Sequence, residues 1–267
     1  MRKIFCLLLI LLTCGVTGCG SSNDEKNAKV GTLMQLNSTP EQAVNISGGE
    51  LNFYDNFKSM QMALASKQID KMQIHQSVAK YLTTTNSDFA IGNSQHTTEL
   101  VDNFCCAVRE SNVDLKNDFD AAIESMKADG TLDALIDQFI RNATLTPPAV
   151  VLPTFENAEV IRVGITGDLP PLDLVLADGT PAGFNTAVLA EISKRIQKNI
   201  KLVQINSAAR AVALTSGQVD VIFWVVVPED GSDRPKDFDT PAGVAVTDPY
   251  YQDVVVSVNL SNLGAGL

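Results

Sequence analysis

Residues 143–158 hold three prolines, Pro147, Pro148 and Pro153, and this stretch limits the possible folds more than any other feature. Proline lacks an N–H and fixes its φ, so the stretch can be neither a helix nor a central strand. It divides the chain into two blocks joined by a linker. After it, apolar runs and helical periodicities alternate as βαβαβ: Val160–Ile165, a helix with Val188, Ile192 and Ile196 on one face, Ile200–Ile205, a short helix Ala208–Ser216, and Val219–Val227. Asn185 is expected to cap the first of these helices. Before the linker, Phe57, Met60 and Leu64 recur at helical spacing, and Ile69–Ile74 alternates as a strand does. A helix over 76–83, a strand at Phe104–Val108 and an amphipathic helix through Leu115, Phe119, Ala122, Ile123 and Met126 follow. Asp129-Gly130-Thr131 ends that helix, and Thr131 is expected to cap the next, at 132–140. The pattern predicts an α/β protein with a mostly parallel sheet covered on both faces. Ligands then belong where strands end and helices begin.

Lys and Arg number 20 against 31 Asp and Glu, a formal charge of −11, which argues against nucleic acid as a partner. Arg2 and Lys3 precede an apolar run from Ile4 to Leu12, and Val16-Thr17-Gly18 leads to Cys19. Residues 1–18 read as a signal peptide, because a bilayer span needs ~20 apolar residues and this run is far shorter. The stretch around Cys19 resembles the lipobox of bacterial lipoproteins, and by that resemblance Cys19 carries the lipid anchor. Residues 19–30 then form a polar tether. The expected location is extracytoplasmic, with the protein held to a membrane through lipid. Only Cys105 and Cys106 remain in the body, and adjacent cysteines fit poorly with usual bridge geometry, so no disulfide framework is expected.

Several motifs after the linker occur in one order: Gly164-Ile165-Thr166-Gly167-Asp168 with Pro170-Pro171, then Asp178-Gly179 and Gly183-Phe184-Asn185. Arg210, Gly217 with Asp220, and Pro249-Tyr250-Tyr251 complete the series. Together they resemble the first lobe of a bacterial extracellular solute-binding protein of the amino-acid-transporter type. Upstream, Gly31-Thr32, Asp55 to Met60, Ala63 to Asp70 and Ser77 to Leu82 resemble that family's second lobe. Phe104 to Arg109 and Ala128 to Ile136 resemble its return segment. The resemblance implies a type 2 periplasmic-binding-protein fold of two lobes, circularly permuted, with a shortened second lobe. Residues 31–104 would be the second lobe, 105–142 the return segment, 143–158 the linker and 159–267 the first lobe. A 16-residue linker reaches up to ~50 Å, enough to join the family's natural ends. Two tandem half-domains are the rival account.

The resemblance further implies capture of an amino acid or similar polar solute for the permease of an ABC importer, by a monomer. The chain departs from the family at two clamping positions. Val225-Val226-Val227-Pro228 replaces the turn that precedes the carboxylate-binding Arg, leaving Arg234 as a substitute, and His75 stands where an acid is expected. Candidate ligand contacts are Asp168, Leu169, Leu172, Trp224, Arg210, Thr32 and His75. Each has a plainer reading: Asp168 as a turn residue, Trp224 as core, Arg210 as a salt-bridged surface residue. Tyr250 and Tyr251 are expected to pack a hinge. His75 and His96 are the only histidines, so no metal site is expected, nor any cofactor. Two rival functions remain. One is an enzyme on the same fold, similar to cyclohexadienyl dehydratases, using Asp168, Asp173 or His75 as general acid; the other is a degenerate binder serving as sensor or assembly partner. The two-lobe reading requires a crevice between Asp168 and the N-terminal half.

Overall fold

Two parallel groups of strands, joined through an antiparallel pair, organise the computed structural model, which describes residues 28–36, 49–92, 100–231 and 239–261. Cys19, its tether, His96 and Arg234 lie outside the described residues. The first group comprises β1 (Lys29–Leu33), β2 (Glu50–Tyr54) and β3 (Lys71–His75), with β1 parallel to both neighbours. The second comprises β6 (Val160–Ile165), β10 (Asn199–Gln204) and β11 (Val221–Pro228), with β6 parallel to both. Between them run β5 (Val101–Arg109) and β13 (Tyr251–Leu260), antiparallel to each other and to their outer neighbours. The order across the sheet is β10-β6-β11-β5-β13-β3-β1-β2. The expectation of a mostly parallel sheet therefore holds for each group and fails at the centre.

Strand β13 connects the groups. Its first four residues, Tyr251 to Val254, pair with β5, and the next four, Val255 to Val258, pair with β3. Short strands β4 (Phe89–Ile91) and β12 (Val244–Val246) pair with β13 and β5 respectively. A small separate sheet of β7 (Asp168–Leu169), β8 (Asp173–Val175) and β9 (Pro181–Ala182) follows β6.

Helices form where apolar side chains recur on one face. In α1 (Phe57–Ala65) the buried residues are Phe57, Met60, Ala63 and Leu64, and Asn56 caps the helix by accepting from Ser59 N. The helix α2 (Gln76–Thr85) buries Val78, Ala79 and Leu82, and α3 (Val113–Ala128) buries the predicted five apolar residues. Two cap expectations are corrected. Thr131 is the first residue of α4 (Thr131–Ile136), whose cap is Gly130 in the left-handed region, and Asp129 Oδ1 accepts from Thr131 N. Asn185 lies inside α5 (Phe184–Ile196), because Gly183 at φ +93° supplies the turn there; the Asn185 amide oxygen instead accepts from the Tyr250 hydroxyl. A π-helical turn, Asp137–Arg141, continues α4 and completes the predicted 132–140 helix. The last helix is α6 (Arg210–Thr215).

One core runs through both groups, from Met60, Met72 and Val78 to Phe104, Phe119, Val163 and Val188, and a smaller cluster lies beneath α6 around Ile205, Leu214 and Val225. The motif residue Asp220 proves to be a structural clamp. Its carboxylate accepts from Arg162 N, Nε and a terminal nitrogen and from Arg109, tying β6, β11 and β5 together. Partial burial pushes the Asp220 pKa up, but the Arg162 and Arg109 bonds outweigh it and hold the carboxyl below its usual range. Among the described residues no helix is long and apolar enough to cross a membrane. Cys105 and Cys106 are buried and free, and burial pushes the Cys105 thiol up to about 12.

Candidate functional site

The chain segments that leave the carboxyl ends of β1, β2, β6 and β10 meet one another. Asp168, just past β6, accepts from Phe57 N at the start of α1 at 2.7 Å. Ser207, past β10, donates its N–H to Asp55 O at 3.3 Å. The Arg210 guanidinium reaches from α6 to Met34 O, just past β1, at 3.1 Å. These three bonds bridge the two strand groups. The crevice expected between Asp168 and the N-terminal half is therefore closed at Asp168 by direct contact.

Arg210 corrects the surface reading most clearly, because it is fully buried. Besides Met34 O it donates to Trp224 O at 3.0 Å and Ser207 O at 3.4 Å, so three carbonyl oxygens surround it. Its guanidinium carbon lies 4.1 Å from the Trp224 ring centroid, a cation–π contact strengthened by desolvation. Burial lowers its pKa, and the Asp239 and Asp173 carboxylates oppose that shift. One of its partners, Met34 O, is 176 residues away in sequence.

Trp224 is buried and lies at φ +50°, an unusual backbone for so bulky a residue, at an irregularity between Ile222 and Val225 in β11. Its indole N–H is buried without a hydrogen-bond partner among the described residues. Strain of this kind persists only where surroundings over-determine the backbone. Here Trp224 O is fixed by Arg210 and Val226 N by the buried Asp239.

Two carboxylates sit behind this contact. Asp173 is fully buried and accepts from Thr166 N and Oγ1 at 2.8 and 3.0 Å. Burial raises its pKa despite those bonds. Burial likewise raises that of Asp168, the Phe57 N–H pulling the other way and the Asp173 charge adding to the rise.

The remaining candidates separate from this cluster. Leu169 and Leu172 are buried in the main core, so neither offers surface to a ligand in this arrangement. Thr32 is half-buried in β1 opposite Phe53. His75 turns to the central strands: its Nε2 lies 2.9 Å from Asp102 Oδ2, and its ring meets Phe104 edge-on at 4.6 Å. Tyr250 packs among Phe104, Phe184 and Phe223. Among the described residues no group of His, Cys, Asp or Glu has the arrangement of a metal site. Sequence reading missed the main-chain atoms of Met34, Asp55 and Phe57. Only the last had a local signal, the Asp55-Asn56 pair that opens α1.

Residues 161–262 match the family described as bacterial extracellular solute-binding proteins, family 3. No curated protein matches the chain. Among solved structures it is similar to the ligand-binding component of an ABC-type import system from Staphylococcus aureus with zinc bound, at 12% identity and a TM-score of 0.43. That match covers 87% of this chain but 65% of the other, so this chain spans less than two thirds of its length. It is also similar to a periplasmic substrate-binding protein of an ABC transporter from Coxiella burnetii, at 10% identity and a TM-score of 0.36, covering 87% of this chain and 84% of that one.

Proposed function

We propose that this chain, whose residues 161–262 match the bacterial extracellular solute-binding proteins of family 3, captures a small polar solute between its two strand groups and delivers it to an ABC importer. One observation carries the reading. Among the described residues the bonds at Asp168 and Arg210 that bridge the groups are polar and located where strands end, beside the crossing pair β5 and β13 and the shared core. Each bridging bond is one that a ligand's own donors and acceptors replace: an ammonium at Asp168, a carboxylate at Arg210, with Trp224 as the ring beside it. Closure around a solute then follows because contacts from both groups coexist only when they meet.

In this reading residues 31–104 are the second lobe, 105–142 the return segment and 159–267 the first lobe, written in permuted order through the 143–158 linker. The protein is a monomer outside the cytoplasm, tethered by a lipid on Cys19. The family is one of binding proteins, and no catalytic role is assigned to Asp168, Asp173 or His75. One observation favours a second reading, a degenerate binder used as sensor or assembly partner: Asp168 and Arg210 already bond to groups of the chain itself.

Thermal unfolding with a panel of amino acids, short peptides and organic acids tests both. A true ligand at 100 times its Kd adds about 2.7 kcal/mol of stability. A stabilising solute recovered unchanged supports capture. Absence of any stabilising solute supports the second reading and overturns the first.

A further inference from the structure

A groove of about 600 Å³ is lined by the start of β13, by Val101 of β5 and Glu229, by the first turn of α2 and by the end of the π-helical turn. A continuation of about 270 Å³ shares Ser77, Lys80, Ile140 and Arg141 with it. The groove is remote from the Asp168 and Arg210 contacts: its floor is Tyr251 to Val254, where β13 crosses between the groups. Its size is that of a small-molecule site.

The charges in it are not equivalent. Asp253 has both oxygens engaged, by Ser77 N at 3.0 Å and by Val254 N at 2.8 Å, and Glu229 accepts from Gln252. Two cations, Lys80 and Arg141, line both the groove and its continuation. Lys80 is exposed on α2, and Arg141 makes an exposed pair with Asp137 four residues back, a bond of little worth in water. Ile136 and Ile140 offer apolar surface beside them. The carboxylates already in the groove disfavour a polyanion, and bonds from Ser77 N, Val254 N and Gln252 already draw on their oxygens. What fits is a single carboxylate, whose two oxygens suit a guanidinium and an ammonium, on an apolar body.

We propose that this groove is a second ligand site, for a small apolar monocarboxylate held between Lys80 and Arg141. Lys80 stands on the β1-group side of β13, and Arg141 ends the segment that returns to the β6 group. An occupant bridging them therefore favours closure of the gap; that coupling rests on the two-lobe reading above, whereas the site itself does not.

Calorimetric titration of the full chain with sodium hexanoate up to about 10 mM tests it, with hexan-1-ol and sodium sulfate as controls. Hexanoate binds, and the exposed double substitution Lys80→Gln with Arg141→Gln weakens it by about tenfold or more, while hexanol and sulfate bind at least about tenfold more weakly. No binding of hexanoate overturns the site. So does equal binding by the double variant, or loss of binding in Asp168→Ala in its place. Fluorescence of Trp224, the single tryptophan, reads the coupling: a change with hexanoate in the parent and none in the double variant supports it, and no change in either removes it. Failure of the amino-acid panel leaves the hexanoate result standing, so the two readings fail separately.

Discussion

Across the gap the two strand groups contribute unlike things. From the β6 group come two side chains, the Asp168 carboxylate and the Arg210 guanidinium, with Trp224 stacked on the latter, and one main-chain donor, Ser207 N. From the β1 group come main-chain atoms, Phe57 N and the carbonyls of Met34 and Asp55. A main-chain acceptor survives almost any substitution at its position, whereas a side-chain donor is lost with one. The family match lies over the side-chain partner, at 161–262, and leaves the main-chain partner outside. Under the proposed capture, the β6 group would set what the gap recognises and the β1 group would supply a surface for it to close upon.

Substitutions on the β6 side should therefore cost most. Trp224→Ala should destabilise by about 3–5 kcal/mol, because it empties a fully buried site as large as any in the core. A tryptophan that is only a ligand platform would leave stability intact on removal, and urea unfolding distinguishes the two. Trp224→Gly, which relieves the positive φ, should be less harmful than Trp224→Ala by roughly 1 kcal/mol. If alanine proves the milder change, the strain does not reside in that backbone. Arg210→Ala should cost about 3 kcal/mol, since three buried carbonyls lose their donor. A loss below about 1 kcal/mol in urea would mean that the guanidinium does not bridge the groups in solution.

Much of the fold was legible because it is local. The spacing of Phe57, Met60 and Leu64, and that of Leu115 through Met126, needs only helical geometry to be read, and the βαβ alternation after the linker needs only its turns. What was not legible depends on distance. The β13 crossing had no signature beyond apolar residues near Tyr250 and Tyr251, because its role comes from pairing with β5 and then β3. Arg210 looked like surface because its burial is decided by Met34 O. Leu169 and Leu172 looked like ligand contacts by family position, yet the small sheet of β7 to β9 folds them into the core. Asp168 and Trp224 were legible as candidates, but their partners, being main-chain atoms, have no identity in a sequence.

Asp168 and Asp173 test the same contrast through charge. Asp168→Ala should cost about 1 kcal/mol, the usual price of a lost helix cap, because Asp168 serves the N-terminus of α1 from across the gap. An unchanged midpoint would show that the gap is open in solution. Asp173→Asn should act oppositely. The folded protein raises the Asp173 pKa, so the native state favours the protonated acid; its contribution is full below the unfolded carboxyl pKa and is lost as pH rises through the folded value. Burial of its charge is a burden that Asn lifts while keeping an oxygen for Thr166. A gain smaller than the Asp168→Ala loss is expected at pH 7, fading as pH falls to about 4. A variant weaker than the parent at pH 7 would mean that the carboxylate's bonds outweigh its burial.

The smallest effects are expected on the β1 side, and they sharpen the contrast most. Met34→Leu and Asp55→Asn keep the carbonyl oxygens that Arg210 and Ser207 N engage, and Asp55 is an exposed side chain. Each should change stability by less than about 0.5 kcal/mol in urea unfolding, as surface substitutions outside special features do. Ligand affinity, once a solute is found, should be equally insensitive, because neither change moves a group that meets the gap. An affinity loss of tenfold or more in Asp55→Asn would place a recognising side chain on the β1 side. The gap would then be symmetric in kind, and the family span alone would not hold its specificity.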